Sequence, residues 1–520
     1  MTDLAARTPR WLLACCLALT CLGAALRLAN LDRKVFWLDE THTALWMSGH
    51  SRAELVREAR DKSVLSGADL LKYRTPDSAK DIRDVTRFFV DSAPQHTPVY
   101  SILTRAWAER WDSSIRSLRL LPVLLSFLSI PLIFCFAIEL FGSRPVAWTA
   151  AALFAISPLN LLFAQEARPF SLWTTMILVA SWLLLRAIRV ETPVAWATYA
   201  LSAAMALYSF TFSAFVILGH GLYTLALERF TTRNSLRGYS LAAGVAFTSF
   251  LPWVYVMLRG WSSAMATTTF LAAGPGAGEW LRQAAFNATL TLVDFGEPSA
   301  RIAVPVILLI GVAAVALTRE PEQSPSIFLV SLCAPLCVAL AGADIIFGGR
   351  RFLIARYTLP MELSISLAVA YLLGTRMTRA GGSRRTRFAW RALAGCVALG
   401  GVLSSIAISR ADTWWIKSGY SREVDRIIGS ESNPLILADP NENGVGRIMS
   451  LSYYLGEDIR YILSADPDSS VLSTSGRRFA LDPSPALRRN LLIKGYQLNA
   501  IDASIGLWQV VESRRAIRRP

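Results

Sequence analysis

The chain has 520 residues, of which 53% are hydrophobic and only 18% are charged. Soluble domains carry about 25% charged residues, so this composition excludes a protein that is soluble throughout. The net charge is +15, which would suggest a nucleic-acid partner in a soluble chain. Here the arginines lie between apolar runs, as in membrane proteins, and no DNA- or RNA-binding motif is present. All seven cysteines lie within apolar runs, so no disulfide framework is predicted.

About eleven apolar runs have a length that fits the hydrocarbon core of a bilayer. They lie at 11–29, 118–140, 146–163, 170–188, 193–208, 212–228, 238–258, 302–317, 325–342, 357–375 and 391–408. A cleaved signal peptide is the alternative for the first run. We interpret that run as a span, because it is long for a leader and Arg27 interrupts the place where a small-residue cleavage site is expected.

The segment Thr97–Trp111 decides the predicted topology. It carries three charged side chains in about 15 residues, and a charge at mid-bilayer costs roughly 2.5–3.5 kcal/mol. We therefore predict a helix that lies at the membrane interface. With this choice most arginines between spans face the cytoplasm, which predicts a cytoplasmic N-terminus and an extracytoplasmic C-terminus. The arginines on the predicted cytoplasmic side are Arg7, Arg10, Arg144, Arg186, Arg189, Arg229, Arg233, Arg237, Arg376, Arg379, Arg384, Arg385, Arg387 and Arg391.

Residues 1–408 are thus predicted to form an α-helical polytopic membrane domain with an extracytoplasmic loop at 30–116. Residues 409–520 are predicted to form a small extracytoplasmic α/β domain, because helix-like and strand-like stretches alternate there. The predicted elements of this domain are helices at Arg422–Ile428 and Val445–Leu455 and strands at Pro434–Ala438, Ile459–Ile462 and Leu507–Val511. Helices are also predicted in the loop at Ser51–Arg60 and Ser78–Phe89, and an amphipathic stretch at Glu279–Val293.

Two polar motifs fall in the predicted extracytoplasmic loop. Asp39 and Glu40 follow the first span, and paired acids near a membrane face suggest a general base or a cation site. The alternatives are a solvated loop pair, or a helix cap formed by Asp39 ahead of Thr41–Met47. His96 precedes the interfacial helix and is a candidate for phosphate or metal binding; the alternative is a surface histidine. His42, one turn after Asp39, permits a shared metal.

Two further motifs carry charge on the same predicted side. Glu166 and Arg168 lie in the short connection between two spans, where they either line a cavity or form an ordinary helix-end ion pair. Arg350, Arg351 and Arg356 oppose the positive-inside trend, and guanidinium groups bind phosphate bidentately. A lipid-linked phosphate or pyrophosphate would explain their position. The alternative is a topology that is wrong by one span.

Together these motifs resemble the bacterial family 39 branch of the GT-C glycosyltransferases, which is related to protein O-mannosyltransferases and lipid A aminoarabinose transferases. The matching elements, in order, are Trp37-Leu38-Asp39-Glu40, His96-Thr97-Pro98-Val99-Tyr100, Arg119-Leu120-Leu121-Pro122, Phe141-Gly142, Ser157-Pro158, Gln165-Glu166-Ala167-Arg168-Pro169-Phe170-Ser171-Leu172 and Arg356-Tyr357-Thr358-Leu359-Pro360. Thr97 and Phe170 depart from the family pattern, which has Pro and Tyr there.

The resemblance implies an inverting hexosyl- or pentosyltransferase that uses a polyprenyl-phosphate sugar donor. Asp39 would be the general base, with Glu40 beside it in the catalytic pair. The donor and its phosphate would be bound by His96, Glu166, Arg168, Arg350, Arg351, Arg356 and Tyr357. The branch also implies a multi-pass protein of the bacterial inner membrane. A divalent cation is an open alternative as cofactor, and the sequence names neither the sugar nor the acceptor, which is a protein, a lipid or a glycan.

Two other classes compete with a transferase. A multi-pass lipid or glycan transporter or flippase predicts an internal repeat and interrupted spans in corresponding halves, and no repeat is present in the sequence. A non-catalytic membrane scaffold has no use for arginines that bind an anionic ligand on the outer face.

Overall fold

A computed structural model describes residues 8–228, 235–262, 265, 271–296, 299–320, 324–379, 383–414, 420–473 and 476–513. The chain divides into two compact units. The first unit comprises Met1–Ala29, Phe89–Tyr100 and Pro122–Ser409, and the second comprises Asn30–Phe88, Ser101–Leu121 and Arg410–Pro520. Arg7, Arg229 and Arg233, which the topology prediction places on the cytoplasmic side, lie outside the described residues.

Long helices make up most of the first unit. Their bounds are α1 Arg10–Leu28, α6 Ile115–Phe141, α7 Arg144–Ile156, α8 Pro158–Ala164, α9 Phe170–Val190, α10 Pro193–Ser209, α11 Ser213–Glu228, α12 Ser235–Arg259, α13 Ala277–Asn287, α14 Ala300–Thr318, α15 Ser324–Phe347, α16 Leu359–Thr378 and α17 Arg384–Arg410. Helix α6 begins in the second unit, and α17 ends there. Each of the eleven apolar runs is helical in this set. All seven cysteines lie in these helices, and none forms a disulfide.

Seven of the described helices are long and apolar enough to cross a membrane, or eight if one bent pair counts as a single span. The membrane fold is therefore confirmed, while the predicted number of eleven spans is not. The bent pair is α7 and α8, which meet at an angle of 58°. Pro158 lacks the N–H that a continuing helix needs, and the Ser157 hydroxyl instead accepts a hydrogen bond from the Asn160 N–H at 3.3 Å to begin α8.

The second unit combines short helices with one sheet. Its helices are α2 Leu38–Ser48, α3 Arg52–Lys62, α18 Arg422–Gly429, α19 Glu442–Ser452, α20 Ser469–Leu472 and α21 Pro485–Ile493; α4 Ile82–Ser92 begins in this unit, and α5 Val99–Arg110 ends in it. The strands are β1 Leu65–Ser66, β2 Leu435–Ala438, β3 Arg460–Leu463, β4 Arg478–Leu481, β5 Tyr496–Asp502 and β6 Leu507–Glu512. The small α/β domain predicted at the C-terminus is thus confirmed.

The sheet has the strand order β1-β3-β2-β4-β6-β5. Strands β3, β2 and β4 are parallel, and Ile436 of β2 pairs with Tyr461 of β3 and Phe479 of β4. The N-terminal loop supplies β1, whose Leu65 pairs antiparallel with Tyr461. Apolar side chains of the loop and of the C-terminal segment share one core on one face of the sheet. That core includes Leu45, Leu55, Leu65, Leu70, Val424, Ile428, Ile436, Ile448, Tyr461 and Phe479.

The interfacial helix predicted at Thr97–Trp111 corresponds to α5. Its 12 residues would extend only about 18 Å at 1.5 Å per residue, well short of a bilayer core. The helix is accordingly absent from the described helices that are long enough to span.

Candidate functional site

Asp39 lies in the first turn of α2. Trp37 adopts an extended conformation and precedes the helix, so α2 begins at Leu38 and Asp39 is not its capping residue. The alternative in which Asp39 caps a helix at Thr41–Met47 is therefore wrong. The helix ends at Gly49, whose φ of 86° is a conformation that glycine adopts without strain. The Asp39 side chain is half-buried, which keeps it accessible to a ligand.

Glu40 forms a buried ion pair with Arg119. The Arg119 Nε and Nη2 atoms donate to the two Glu40 carboxylate oxygens at 2.8 and 2.6 Å. The side chains of Glu40 and Arg119 are 0% and 1% exposed. Arg119 also donates to the carbonyl oxygens of Leu31 and Lys34, at 2.6 and 2.9 Å, and to that of Val35 at 3.0 Å. This single guanidinium therefore fixes the segment that leads into α2, and the Glu40 carboxylate is already occupied.

A polar group from the C-terminal segment lies close to Asp39. Glu442, at the start of α19, has its Oε1 atom 3.4 Å from the His42 Nε2 atom. Burial raises the pKa of the Glu442 carboxyl above its ordinary value; Arg52 opposes this effect and the negative charge of Asp39 adds to it. Burial likewise raises the pKa of the Tyr420 hydroxyl, which also senses the charge of Asp39.

The helices that carry these groups pack closely. A Cβ atom added to Gly446 of α19 would lie 2.3 Å from the Leu38 Cδ1 atom and 3.1 Å from the Tyr420 hydroxyl. A residue without a side chain thus allows α19 to approach α2 at the level of Asp39. The Tyr420 hydroxyl donates to the Asn443 Oδ1 atom at 2.9 Å, which holds the start of α19 in place.

Sequence reasoning missed Glu442 and Tyr420. One signal was available, because β2 ends at Ala438 and the polar run Asp439-Pro440-Asn441-Glu442-Asn443 follows it directly. In sheets with parallel strands, ligand sites lie beyond the carboxyl ends of the strands. Nothing in the sequence indicated that Glu442 would contact α2, which lies more than 390 residues earlier in the chain.

In the first unit, Glu166 and Arg168 lie in the turn between α8 and α9. The Gln165 side-chain amide fixes this turn by donating to the carbonyl oxygens of Leu26 and Ala29 at 2.9 and 2.8 Å. Glu166 is 0% exposed and Arg168 is 6% exposed. Two charged side chains are thus buried in a turn that is anchored to the end of α1. A salt bridge at the protein surface would not require burial of both charges, which costs free energy.

Arg356 lies beside the residue that begins α9, directly after the same turn. Its guanidinium carbon lies 5.9 Å from the centre of the Phe170 ring. Tyr357 packs edge-on against Phe212 at 5.2 Å, and Phe210 lies 6.1 Å from Phe170. The structure therefore brings the late arginine motif to the Glu166–Phe170 motif and places the cation beside the rings of Phe170 and Tyr357.

Arg351 has a different environment from Arg356. Its Nη1 atom lies 3.1 Å from the Asp344 Oδ1 atom, and the backbone N–H groups of Arg351 and Phe352 donate to the same carboxylate at 2.9 Å. Arg350 is exposed. The three arginines that the sequence grouped together are thus one ion-paired, one exposed and one beside aromatic rings.

His96 is half-buried in the turn that precedes α5. Its backbone N–H donates to the Ala93 carbonyl at 3.0 Å. This hydrogen bond closes the turn that ends three residues before α5 begins. Within the part of the chain that the structure describes, no group of three histidine, cysteine, aspartate or glutamate side chains is arranged to hold a metal ion.

Comparisons with known proteins agree with this architecture. The family model of the dolichyl-phosphate-mannose-protein mannosyltransferases matches residues 95–256. ArnT from Cupriavidus metallidurans, solved with bound undecaprenyl phosphate, superposes with a TM-score of 0.53 at 12% identity, over 82% of this chain and 90% of that chain. The fold is that of the GT-C glycosyltransferases. The resemblance predicted from the sequence motifs is therefore confirmed.

A second GT-C structure is also similar. The archaeal oligosaccharyltransferase AglB from Archaeoglobus fulgidus, in complex with an inhibitory peptide and a dolichol-phosphate, superposes with a TM-score of 0.51 at 12% identity. This similarity covers 98% of the chain and 75% of AglB. No curated protein matches the chain. The GT-C fold and the family-model match together support a membrane glycosyltransferase.

Proposed function

We propose that this GT-C chain transfers a sugar from a polyprenyl-phosphate donor to an acceptor hydroxyl on the extracytoplasmic face of the inner membrane, with inversion at the anomeric carbon. Asp39 is the general base in this proposal. The observation that carries the assignment is that the two adjacent acids have different environments. Glu40 is buried and bonded to Arg119, whereas Asp39 is half-buried on the adjacent position of a fixed helix.

The reaction needs one proton acceptor and one leaving group. The acceptor oxygen forms a bond to the anomeric carbon while the bond from that carbon to the phosphate oxygen breaks. The proton moves to the Asp39 carboxylate, and the polyprenyl phosphate leaves as an anion. The nearby carboxylate of Glu442 favours proton uptake by Asp39, because like charges disfavour the doubly ionised state. Glu40 is a positioning residue in this scheme, since Arg119 occupies both of its oxygens.

The first unit supplies the groups for the donor. Arg356 offers a cation beside Phe170 and Tyr357, and Phe210 and Phe212 pack against these two rings. A cation next to an aromatic cluster suits a phosphate attached to an isoprenoid chain. ArnT and AglB, which share the fold, were solved with undecaprenyl phosphate and dolichol-phosphate. We assign the leaving phosphate to Arg356 and the donor sugar or phosphate to Glu166, Arg168 and His96.

Arg350 and Arg351 receive narrower roles. Asp344 neutralises Arg351 and fixes the backbone after α15, so Arg351 shapes the approach to Arg356. Arg350 is exposed, and we assign it to attraction of the anionic donor at long range.

The orientation is part of the proposal and is tested separately. The arginine distribution supports a cytoplasmic N-terminus and an extracytoplasmic C-terminal segment. Single cysteines at positions 39 and 384, in a chain without native cysteines, are treated with a membrane-impermeant thiol reagent on intact cells. We expect labelling at 39 and none at 384. The reverse pattern would overturn the orientation together with the extracytoplasmic reaction.

The catalytic assignment is tested in living cells, which supply the native donor and the native acceptor. Cells that lack the chain are complemented with wild type, Asp39→Asn or Asp61→Asn, an exposed aspartate on α3. Mass spectrometry of surface glycans and glycoproteins should show one sugar missing from one acceptor with Asp39→Asn and restored with Asp61→Asn. Wild-type glycosylation in the Asp39→Asn cells, with equal protein in the membrane, would reject Asp39 as the base.

A further inference from the structure

A cavity of about 520 Å³ opens in the second unit, and the transfer reaction gives it no role. Segments that are distant in sequence line it: the end of the short helix Leu71–Tyr73, the first residues of α6, the start of α18 and the residues that follow α19. The polar side chains that line it are Asp32, Arg74, Thr75, Ser113, Ser114, Arg116, Arg422, Tyr453 and Tyr454. We call this cavity the arginine pocket.

The arginine pocket has an excess of positive charge. Three arginines and one aspartate line it. Arg422 has its own partner, since its Nε atom lies 3.2 Å from the Asp425 carboxylate. Arg74 and Arg116 form no ion pair within the described residues. Two guanidinium groups that no ion pair engages thus face one cavity, and guanidinium groups bind phosphate through paired hydrogen bonds.

Contacts in the walls hold the pocket in shape. The Arg422 guanidinium lies 3.8 Å from the centre of the Tyr454 ring, and the Arg74 guanidinium lies 4.9 Å from that of Tyr453. An Arg74 Nη1 atom also donates to the Ser452 carbonyl oxygen. Because two of the arginines are stacked on tyrosines, they lose little side-chain entropy when an anion binds.

One wall of the pocket belongs to a candidate membrane span. Arg116, which lines the pocket, is the second residue of α6. The ends of membrane spans lie at the level where lipid phosphates are found. The hydroxyls of Thr75, Ser113 and Ser114 add hydrogen-bond donors for the oxygens of a phosphate ester.

We infer that the arginine pocket binds a phosphate group through Arg74 and Arg116, in a site separate from the donor phosphate that we assign to Arg356. The phosphate belongs either to an anionic lipid headgroup or to a soluble phosphate ester. The proposal goes beyond the transfer reaction, and its test measures binding alone. It therefore stands or fails independently of Asp39.

The pocket is also linked to the segment that carries Asp39. The Tyr454 hydroxyl accepts a hydrogen bond from the Phe36 N–H at 2.8 Å, and the Tyr453 ring lies 4.5 Å from the Phe36 ring. Phe36 precedes Asp39 by three residues. A phosphate held between Arg74 and Arg116 would order Tyr453 and Tyr454. Through their contacts with Phe36, it would also order the backbone that leads into α2.

The test uses the full-length protein in neutral detergent and compares Arg74→Gln/Arg116→Gln with Arg60→Gln/Arg83→Gln. The second pair consists of exposed arginines outside the pocket and gives the same change in net charge. Native mass spectrometry measures binding of phosphatidylglycerol against phosphatidylcholine. A second arm measures the rise in melting temperature with glycerol phosphate. Arg116→Gln alone serves as a variant that does not threaten folding, because Arg116 is exposed.

We expect the pocket variant to lose about tenfold or more in affinity for the phosphate probe, while the control pair keeps the wild-type affinity. A loss confined to phosphatidylglycerol identifies a lipid headgroup, and a loss with glycerol phosphate identifies a soluble ester. Equal binding by the pocket variant and the control pair, or no binding of either probe to wild type, would overturn the inference.

Discussion

The Arg119 guanidinium donates to both oxygens of the Glu40 carboxylate, although the two residues are 79 positions apart in the chain. Both side chains are buried. Through Leu31, Lys34 and Val35, the same guanidinium also fixes the backbone that precedes α2. Glu40 therefore helps to fix the position of the helix that carries Asp39, the proposed base.

The first prediction concerns this ion pair. Glu40→Gln leaves a buried guanidinium without a neutralising charge, which should destabilise the second unit by about 3–5 kcal/mol. The double variant Glu40→Met/Arg119→Met removes both charges and should cost less than the sum of the single variants. Hydrogen exchange of the peptide that spans 31–40, together with the melting temperature, measures both effects. Strictly additive losses would show that the pair is not coupled.

Gly446 provides a second prediction. A Cβ atom there would meet the Leu38 Cδ1 atom at 2.3 Å, and a valine would add methyl groups towards Tyr420 and Thr41. Gly446→Val should therefore push α19 away from α2 and lower turnover by about tenfold, while donor affinity is retained. Gly456→Val is the matched control, because a Cβ atom at Gly456 would meet nothing within 4 Å. Equal turnover in the two variants would show that the close packing of α19 against α2 is not needed for activity.

The third prediction is a pH shift. Burial and the charge of Asp39 raise the pKa of Glu442. The interaction of two carboxylates is reciprocal, so neutralising Glu442 makes proton loss from Asp39 easier. Glu442→Gln should thus move the acidic limb of the kcat/KM profile to lower pH, because the proposed base then ionises at lower pH.

The control for this shift is Glu423→Gln, an exposed carboxylate in the first turn of α18. Its acidic limb should coincide with that of wild type. A shift of the Glu442→Gln profile to higher pH would contradict the reciprocal interaction between Glu442 and Asp39.

A fourth prediction separates Arg356 from Arg351. Arg356→Gln should raise the apparent KM for the donor by about tenfold and leave that for the acceptor unchanged, because a charge-assisted contact to phosphate is lost. Arg351→Gln should behave like Asp344→Asn, since both break one ion pair that fixes the backbone after α15. Steady-state kinetics of the three variants measure this pattern. A donor KM that is unaffected by Arg356→Gln would remove Arg356 from the phosphate site.

The sequence predicted those elements whose signal is local. Helix α3 was predicted from a charged, helix-like segment of the loop, and α18, β2 and β3 from the alternation of helix-like and strand-like stretches. Asp39 was found because the acid pair recurs at a fixed place after the first span in a known family. Each of these signals lies within about ten residues.

The partners of these residues were not predictable in the same way. Arg119 was recognised as part of a motif, but nothing in the sequence pairs it with Glu40. Glu442 approaches α2 only because the C-terminal sheet folds against the loop, and Asp344 neutralises Arg351 only because the chain turns after α15. Such contacts depend on tertiary packing, which hydrophobic periodicity does not encode.

Strand β1 has two residues, and its Leu65 is joined to Tyr461 by backbone hydrogen bonds. The ribosome synthesises Leu65 long before Tyr461. Apolar side chains of the loop, such as Leu55 and Leu65, therefore lack their C-terminal core partners until the C-terminal segment has been synthesised. A nascent chain that stops after α17 would therefore carry an unfinished loop. We expect cellular proteases to remove such truncated products, which would make the last hundred residues a checkpoint for the maturation of the whole enzyme.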